Sequence, residues 1–325
     1  MKWYIRNYIK AMDQKIAVID LGTNTFHLAI AEWKHNRYEI EYRERIPAKI
    51  GMGGINEGVI TPDGAARAVA AMKEFKKTLT QKDVATTFAF GTSALRNARN
   101  GTEVAQQLQH ESGISVSIIS GEEEAYYIYR GVSAAVKMNK PSLVVDIGGG
   151  SVEFIIGNET AIFWKHSFEI GAQRLLERFQ KHDPILKEEI TTLNAYFEES
   201  LSLLKEALRT YAPVALVGSS GTFDTLSEMH CLYHNLPYRP DDGETPLDFE
   251  SFYRTFKELL QKNREQRMQM EGMIEMRVDM IVVACCLIAF LLERHVFTSI
   301  HVSTFSLKEG VLATLQDKKL ELTRS

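Results

Sequence analysis

The chain has 325 residues, of which 45% are hydrophobic and 25% are charged, and its formal net charge is −4. The length favours two domains, and the composition is that of an ordinary globular protein. A net negative charge argues against non-specific binding to nucleic acid or to a membrane surface.

Neither the cysteines nor the apolar segments indicate secretion or membrane insertion. Two of the three cysteines are adjacent, at Cys285 and Cys286, so they provide no disulfide framework and fit a cytoplasmic protein. The longest apolar run, Met280 to Leu292, is too short to span a bilayer and predicts a buried helix. The leader up to Gln14 lacks the apolar core and cleavage site of a signal peptide, and Met12 is a second candidate start.

The predicted elements begin with a segment that recurs later in the chain. KIAVIDLGTNTFHLAIA starts at Lys15, and SLVVDIGGGSVEFIIG starts at Ser142. In register, three pairs of residues coincide: Asp20 with Asp146, Gly22 with Gly148, and Thr25 with Ser151. A second pair, FAFGTSALR and ALVGSSGT, recurs at almost the same offset and matches Gly91 with Gly218. The sequence therefore predicts a duplicated domain whose halves each offer a Gly/Ser/Thr turn to a shared cleft.

Each of these turns is predicted to join two strands of a hairpin. An apolar run ends at the aspartate, and the glycines that follow allow positive φ and a close approach of backbone N–H groups to an anion. The next residues are rich in β-formers, whereas the glycines of a P-loop or a dinucleotide-binding motif would open a helix. Ordinary tight hairpins are the alternative, and the acid at the same place in both copies argues against it.

The remaining elements follow a similar order in the two halves. The first half continues with a helix from about Thr61, strands at Val84 to Phe90 and Ser115 to Ile119, and a helix from Glu122 to about Lys137. The second half adds a helical insertion at about Asp183 to Thr210, a Pro-rich excursion at Asn235 to Pro246, a strand at Ser299 to Val302 and a last helix from Leu307. This order predicts α/β domains at residues 13–137 and 138–306, with residues 307–325 forming a helix that packs back on the first domain. The Pro-rich excursion is expected to be a surface insertion.

A run of three glutamates begins the helix predicted from Glu122. Carboxylates in a first helical turn offset the helix dipole, which accounts for Glu122 and Glu123. Glu124 differs, because it shares the apolar face of the helix with Ile128 and Val132. On this face its carboxylate is a candidate general base for an attacking water.

Three further carboxylates accompany the glycine turns. Asp146 and Glu153 flank the loop Gly148 to Ser151, and Asp20 has the position of Asp146 in the first copy, where His27 replaces Glu153. Carboxylates beside phosphate-binding glycines suit Mg²⁺, which takes one or two such ligands plus waters. Capping of a strand-end turn is the alternative for each aspartate.

Two further groups of residues are candidates for binding phosphate or a metal. Arg96 follows GTSAL at a strand-to-helix turn, where a guanidinium could contact phosphate in bidentate fashion; a surface arginine in a first helical turn is the alternative. His230, Cys231 and His234 resemble a metal cluster, but no second cysteine or acid follows at a suitable spacing. We therefore expect these three to be residues of a surface or partly buried helix.

Together these motifs resemble the exopolyphosphatase / guanosine pentaphosphate phosphohydrolase (Ppx/GppA) family, in the superfamily of actin-like ATPases and sugar kinases. The resemblance covers about Lys15 to Gln316. The motifs that carry it are DLGTNTFHLAI, GTSALRNARN, ISGEEEAYYIYRGV, VVDIGGGSVEF, EIGAQRL, GSSGT and SLKEGVL. It implies an α/β fold of two duplicated ribonuclease-H-like (actin-like ATPase) domains with an interdomain cleft.

The resemblance also implies roles for individual residues. Glu124 falls on the catalytic glutamate of the family. The implied ligands of Mg²⁺ or Mn²⁺ are Asp146, Glu153 and Asp20. The implied phosphate-binding residues are Asn24, Thr25, Arg96, Gly148, Gly149, Gly150, Ser151 and Gly221.

Two departures from the family pattern accompany this match. Val152 stands where the family usually has threonine, although Ser151 beside it is retained. Long family members continue into additional helical domains after the SLKEGVL motif, so the chain is expected to be a short, two-domain form. This difference leaves processive action on long polyphosphate open.

The predicted activity is release of terminal orthophosphate from inorganic polyphosphate by metal-assisted attack of water. One alternative is a guanosine pentaphosphate (pppGpp) 5′-phosphohydrolase, which would use the same groove. Another is a nucleotide- or alarmone-binding sensor, which the presence of all the implied carboxylates disfavours. A sugar or acyl kinase would need an acceptor pocket with its own base, for which the sequence gives no signal. The expected partners are polyphosphate or pppGpp, without nucleic acid or membrane, and a homodimer is compatible with the sequence.

Overall fold

The computed structural model describes residues 14–324, so the alternative start at Met12 and most of the leader lie outside the described residues. The chain forms two compact units. One unit extends to Gly131 and takes in the segment from Leu307, and the other is Val132–Ser306.

The first unit is built on a mixed β-sheet. Its strands are β1 (Ile16–Leu21), β2 (Phe26–Lys34), β3 (Arg37–Ile46), β4 (Thr86–Gly91) and β5 (Val116–Ile118). Its helices include α1 (Pro62–Gln81), α2 (Ser93–Asn97), α3 (Gly101–Ser112) and α4 (Gly121–Ala135). The order across the sheet is β3-β2-β1-β4-β5. β1, β2 and β3 are antiparallel neighbours, whereas β4 is parallel to β1 and β5 is parallel to β4.

Local signals in the sequence fix the ends of these elements. The Thr61 hydroxyl oxygen accepts a hydrogen bond from the Gly64 amide at 3.1 Å, and Pro62 opens α1. His35 and Asn36 join β2 to β3 with φ values of 51° and 61°, the left-handed conformation of a tight hairpin turn.

The core of the first unit lies between the sheet and its helices. Ile19 and Leu28 from neighbouring strands pack in one apolar cluster with Phe75 of α1 and Leu108 of α3, and all four are fully buried. This burial is what fixes the register of β1 and β2, because a slip of one residue would turn their apolar side chains to the opposite face.

The second unit contains a second mixed sheet and a larger set of helices. Its strands are β6 (Ser142–Ile147), β7 (Val152–Gly157), β8 (Ile162–Phe168), β9 (Ala215–Ser219), β10 (Glu244–Thr245) and β11 (Ser299–Ser303). Its helices are α5 (Ala172–Phe179), α6 (Lys187–Ser200), α7 (Ser202–Tyr211), α8 (Gly221–Tyr233), α9 (Phe249–Gln261), α10 (Arg264–Met268) and α11 (Ile281–Arg294). The last helix, α12 (Leu307–Arg324), belongs to the first unit, where it contacts β1 and β3.

The two sheets have the same topology. The strand order in the second unit is β10-β11-β9-β6-β7-β8. Read from β8 to β11, the order β8-β7-β6-β9-β11 repeats that of the first unit strand for strand, with the same parallel and antiparallel neighbours. The predicted duplication is confirmed, and both glycine turns join two strands of a hairpin.

The second pair of repeated motifs is shifted between the copies. Gly91 is the β4 partner of Leu21, one residue after Asp20, whereas Gly218 is the β9 partner of Val145, one residue before Asp146. The match of Gly91 with Gly218 is therefore two residues out of structural register. Sequence similarity misled here because both motifs contain glycine and serine near the strand end.

The Pro-rich excursion is more than a surface insertion. It forms a short 3₁₀ turn at Pro240–Asp242 and then β10, which pairs antiparallel with β11 and extends the second sheet. Thr245 of β10 is buried, and the Pro246 carbonyl accepts a hydrogen bond from the Ser227 hydroxyl at 2.7 Å.

The apolar run near the end of the chain forms the buried helix that the sequence predicts. Every residue of α11 from Ile281 to Leu291 is buried in the core of the second unit, including Cys285 and Cys286. These cysteines and Cys231 carry free thiols. Among the described residues, no helix has the length and apolar character needed to cross a bilayer.

Candidate active site

The first unit brings Arg96 and Glu124 into direct contact. Arg96 lies on α2, the short helix after β4, and Glu124 lies in the first turn of α4, which follows β5. Arg96 Nη1 donates a hydrogen bond to Glu124 Oε2 at 2.7 Å. Because β4 and β5 are parallel neighbours, both residues follow the carboxyl-terminal edge of the sheet, where open α/β sheets bind ligands.

Both members of this ion pair are largely withdrawn from solvent. The side chain of Arg96 is 16% exposed and that of Glu124 is 10% exposed. Arg96 Nη1 also donates to the Ile119 carbonyl at 3.2 Å, and the Arg96 amide donates to the Thr92 carbonyl. The alternative of a surface arginine is therefore wrong. A guanidinium this close stabilises the ionised carboxylate, which is the form that accepts a proton.

The glutamates at the start of α4 separate by burial as their pattern predicts. Glu124 is buried together with Ile128 and Val132, whereas Glu122 and Glu123 are exposed. The difference follows from helical geometry, because residues four apart share a face and adjacent residues do not.

A reciprocal cap fixes the beginning of α4. The Ser120 amide donates to Glu123 Oε2 at 2.9 Å, and the Glu123 amide donates to Ser120 Oγ at 3.2 Å. This arrangement is a capping box, which satisfies two backbone donors at a helix start. Glu123 therefore has a structural role, and Glu124 is the glutamate of the run that faces inward.

The glycine turns of the two copies have the same local geometry. A Cβ atom added at Gly22 would lie 2.8 Å from the Thr25 carbonyl oxygen, and one added at Gly148 would lie 3.0 Å from that of Ser151. A side chain at Gly22 would collide with backbone across the turn, and one at Gly148 would make a contact tighter than most, so both turns favour glycine.

The first of these turns is fastened by the loop that follows β3. The Lys49 amide donates to the Asn24 carbonyl at 2.8 Å, and the Gly51 amide donates to the Thr23 carbonyl at 3.1 Å. These bonds fix the backbone around Asn24 and the buried Thr25, two of the predicted phosphate-binding residues, directly after β1.

In the second unit, Asp146 and Glu153 lie opposite each other on β6 and β7. Opposite residues of an antiparallel pair share one face of the sheet, with Cβ atoms about 5 Å apart. Both residues are buried, with exposures of 4% and 1%, and in the first copy His27 is opposite Asp20 instead. Two buried carboxylates on one face at this spacing can provide oxygen ligands to one divalent cation. This makes the second copy the better candidate for a metal site.

Serine hydroxyls orient both of these carboxylates. Ser306, immediately before α12, donates to Asp146 Oδ2 at 2.6 Å, and Ser167 on β8 donates to Glu153 Oε1 at 2.6 Å. Hydrogen-bonded partners of this kind orient the carboxylates of metal sites. The sequence pattern identifies neither serine, because each reaches its carboxylate only through strand pairing or the return of the chain from β11.

The loop Gly148–Ser151 rests on the start of α5. The Gly171 amide donates to the Gly150 carbonyl at 3.1 Å, and the amides of Ala172 and Gln173 donate to the carbonyls of Gly148 and Gly149, both at 2.9 Å. A Cβ added at Gly171 would lie 2.4 Å from the loop backbone. Arg174 completes the contact, because its Nε donates to the Gly150 carbonyl at 2.8 Å. The EIGAQRL motif therefore supports the glycine loop from behind, with the loop carbonyls facing α5.

Gly221 marks a close approach that the sequence does not predict. It begins α8 after Ser220, whose φ is 73°, and a Cβ added at Gly221 would lie 1.9 Å from Arg277 Nη2. The guanidinium of Arg277 thus covers the start of α8. No sequence signal distinguishes this arginine, since it comes from the irregular segment before α11.

The predicted residues fall into two sets, one in each unit. In the first unit, Asp20 lies near the carboxyl end of β1, whereas the other four follow β1, β4 or β5: Asn24, Thr25, Arg96 and Glu124. In the second unit, Asp146 is paired with Ser219, the last residue of β9, so Gly221 lies beside the strand end that carries Asp146.

Comparison with known proteins identifies the family. The sequence profile of the Ppx/GppA phosphatase family matches residues 30–319. The chain belongs to this family. Its members are hydrolases, and relatives named exopolyphosphatases act on phosphoanhydride bonds.

Relatives of the same family match over nearly their whole lengths. A crystal structure of an exopolyphosphatase from Cytophaga hutchinsonii is 44% identical, with a TM-score of 0.91 over 94% of this chain and 98% of that one. The Ppx/GppA family member from Aquifex aeolicus is 28% identical, with a TM-score of 0.76 over 94% and 98%. A Haemophilus influenzae protein provisionally named an exopolyphosphatase is 26% identical over 93% of this chain and 92% of its own. The predicted fold of duplicated actin-like ATPase domains is thereby confirmed.

Proposed function

We propose that this Ppx/GppA family member is an exopolyphosphatase, which releases terminal orthophosphate from inorganic polyphosphate. The observation that carries the proposal is the buried ion pair of Arg96 and Glu124 at the carboxyl edge of β4 and β5. A carboxylate that is shielded from bulk water and held in a fixed direction by a guanidinium is positioned to accept a proton from an attacking water. The relatives named exopolyphosphatases support phosphoanhydride as the bond that is cleaved.

Glu124 is the proposed proton acceptor. As the oxygen of a water molecule bonds to the terminal phosphorus, the bridging P–O bond to the next phosphate breaks. The proton of the water passes to Glu124, and the shortened chain leaves with the electron pair of the broken bond. Arg96 holds Glu124, and its planar fork suits the oxygens of the transferred phosphate.

Mg²⁺ or Mn²⁺ fits the residues of the second unit. Asp146 and Glu153 provide hard oxygen ligands from opposite positions on β6 and β7, and their paired negative charges favour a divalent cation there. Either ion, when bound, supplies positive charge that offsets the charge of the phosphates. Asp20 remains a proposed ligand from the first copy.

The proposed phosphate contacts are the two glycine turns and the residues around them. The carbonyls of Gly148, Gly149 and Gly150 accept hydrogen bonds from the start of α5, which orients the loop. The Gly148 amide donates to the Ser151 carbonyl, so the amides of Gly149 and Gly150 are the ones proposed to serve phosphate oxygens. Ser151, Asn24, Thr25 and Gly221 complete the predicted set. Arg277 is added to it, because its guanidinium covers Gly221.

The proposed location is the cytoplasm. Cys231, Cys285 and Cys286 are all free thiols, and burial raises the pKa of Cys286 to about 12. Buried, protonated thiols of this kind suit a reducing compartment, where they are not oxidised to disulfides.

The test is a phosphate-release assay on short polyphosphate, long polyphosphate, pppGpp and ATP, each with and without Mg²⁺. We expect Mg²⁺-dependent release of orthophosphate from polyphosphate at a higher kcat/KM than from ATP. A higher kcat/KM for pppGpp than for every polyphosphate would favour the 5′-phosphohydrolase instead. Absence of phosphate release from all four would refute a hydrolytic function.

A further inference from the structure

A cluster of metal-ligating side chains lies in the second unit, away from the residues assigned to phosphate chemistry. His230 lies in the last turn of α8, His234 immediately follows the helix as its C-cap, and Asp248 immediately precedes α9. Their candidate ligand atoms all lie within 4.8 Å of one another. His230 is about 13 Å along α8 from Gly221, since each residue of a helix rises about 1.5 Å.

We propose that His230, His234 and Asp248 form a second metal site, which binds a borderline divalent cation such as Zn²⁺. The site is independent of the proposed phosphatase function, because none of its residues belongs to that machinery. Imidazole nitrogen and carboxylate oxygen are ligands that zinc accepts, with three protein ligands and a water completing a tetrahedron.

The geometry of α8 directs both imidazoles to one point. Residues four apart share a helix face, and the two rings have centroids 4.7 Å apart. His230 Nδ1 lies 2.8 Å from the hydroxyl oxygen of Ser251, and His234 Nε2 lies 3.2 Å from the same oxygen. The two nitrogens therefore converge on one position, which the Ser251 hydroxyl oxygen occupies and which a metal would take over.

Asp248 supplies the acid that the sequence motif lacks. It caps α9, with Oδ1 accepting from the Ser251 amide at 2.7 Å, while Oδ2 lies 3.8 Å from His230 Nδ1. The sequence does not reveal this ligand, because Asp248 joins the histidines only after the Pro-rich excursion folds back against the sheet.

Metal binding requires the Ser251 hydroxyl to rotate away from the two imidazoles and the three ligand atoms to move closer together. Ligand atoms around tetrahedral zinc are about 3.3 Å apart, given bonds of about 2.0–2.1 Å. His230 is 6% exposed and fixed, whereas His234 and Asp248 are exposed and can rotate toward it.

One cation faces this cluster and must compete with the metal. Arg254 Nη2 donates to the Ser251 hydroxyl at 3.2 Å, and the Arg254 guanidinium lies over the Tyr233 ring, 3.4 Å from its centroid. Metal binding requires Arg254 to remain on Tyr233 and release Ser251. Arg254 thus weakens the site without blocking it, and removing its charge should increase affinity for the metal.

The competing interpretation is a hydrogen-bond cluster that joins α8 to α9. The Ser251 hydroxyl can donate to one imidazole nitrogen while it accepts from the other ring and from Arg254. Such a cluster needs no metal and predicts no selective binding of one.

The experiment is titration of the purified chain with Co²⁺, read by visible absorption, followed by displacement with Zn²⁺. A tetrahedral site with nitrogen ligands gives stronger d–d bands than an octahedral all-oxygen site, which separates it from Asp146 and Glu153. We expect one equivalent of Co²⁺ with tetrahedral bands that Zn²⁺ removes. If the wild-type chain shows no tetrahedral Co²⁺ bands, the proposal is wrong and the residues form only a hydrogen-bond cluster.

Variants make the assignment specific. His234→Ala should reduce Co²⁺ affinity by more than the ~10- to 100-fold typical of losing an outer partner. Asp248→Asn should weaken binding while keeping the helix cap, because asparagine caps as well as aspartate. Arg254→Gln should bind more tightly than the wild type. The matched control is His110→Ala, at an exposed histidine of α3, which should leave the titration unchanged. Retention of the bands in His234→Ala, with thermal melts showing a folded protein, would refute the site.

Discussion

Arg96 and Glu124 are joined by a hydrogen bond of 2.7 Å between Nη1 and Oε2, although α3 and β5 separate them in the chain. The same guanidinium is proposed to contact phosphate, so one side chain links the general base to the group that it must attack. Such a pair holds the carboxylate in a fixed direction before substrate arrives. It also couples the two residues energetically, because changing one alters the charge environment of the other.

The first prediction concerns Arg96. Arg96→Ala removes the cation beside a largely buried carboxylate, which is expected to cost up to about 3 kcal/mol in the free energy of unfolding. It should also raise KM for polyphosphate. Arg96→Lys keeps the charge but not the planar fork, and should restore stability better than activity. Thermal melts and steady-state phosphate release check both effects. Wild-type KM in Arg96→Ala would contradict a phosphate contact.

The second prediction concerns Glu124. Glu124→Gln keeps the shape of the side chain but removes the proton acceptor, so kcat should fall about 10²- to 10⁴-fold. Phosphate binding should change much less, since the glycine turns and Arg96 provide it. The measurement is phosphate release from short polyphosphate, with folding checked by thermal melts.

Two neighbouring glutamates provide the control. Glu122→Gln and Glu123→Gln change exposed residues of the same helical turn, and each should cost at most about 1 kcal/mol in stability. Turnover of both variants should stay close to that of the wild type. If Glu124→Gln keeps more than about a tenth of wild-type turnover, another base is needed, and Glu153 is the next candidate.

The glycine turns and the inward glutamate were predictable because local sequence determines them. Strand periodicity, a glycine and an acid at fixed spacing specify each hairpin. Asp20 and Asp146 were expected to end their strands, and each strand continues for one further residue. The inward direction of Glu124 follows from its spacing to Ile128 and Val132 alone. The chemical roles of these residues, as base or metal ligand, were inferred chiefly from the family resemblance, because the local patterns indicate only where each side chain lies.

Contacts made through tertiary folding were not predictable. Arg277 covers Gly221 from an irregular segment, and Ser306 reaches Asp146 after the chain has passed through β11. Arg277 carries no local pattern that distinguishes it from a surface residue. Ser306 begins the SLKEGVL motif, but nothing in the motif indicates that its hydroxyl reaches Asp146. Asp248 is a similar case, because the excursion that brings it to His230 has no periodicity to interpret.

The third prediction concerns the support of the glycine loop. Gly171→Ala places a Cβ where backbone atoms of Gly149 and Gly150 lie 2.4 Å away, so the loop must move. Overpacking of this kind typically costs about 1–3 kcal/mol in stability. A displaced loop should also weaken phosphate binding, seen as a higher KM. The control is Gly53→Ala, where nothing lies within 4 Å of the added Cβ. This variant loses stability only through the strain of an alanine at a φ of +71°. Equal KM values in both variants would argue against a role of this loop in binding.

The fourth prediction concerns the metal. If Asp146 and Glu153 hold Mg²⁺ or Mn²⁺, EDTA should abolish phosphate release and either ion should restore it. The bound ion should also raise the melting temperature of the substrate-free protein, since a ligand that binds only the folded state stabilises it. Asp146→Asn should lose this metal-dependent rise in melting temperature, and its turnover should fall at least about tenfold.

Ser306→Ala keeps the carboxylate but removes the hydrogen bond that orients Asp146 Oδ2. It should therefore weaken metal affinity while leaving the metal-saturated turnover largely intact. The affinities can be compared by Mn²⁺ titration followed by electron paramagnetic resonance. Full activity in EDTA, or an unchanged Mn²⁺ titration in Asp146→Asn, would show that these carboxylates do not bind the catalytic ion.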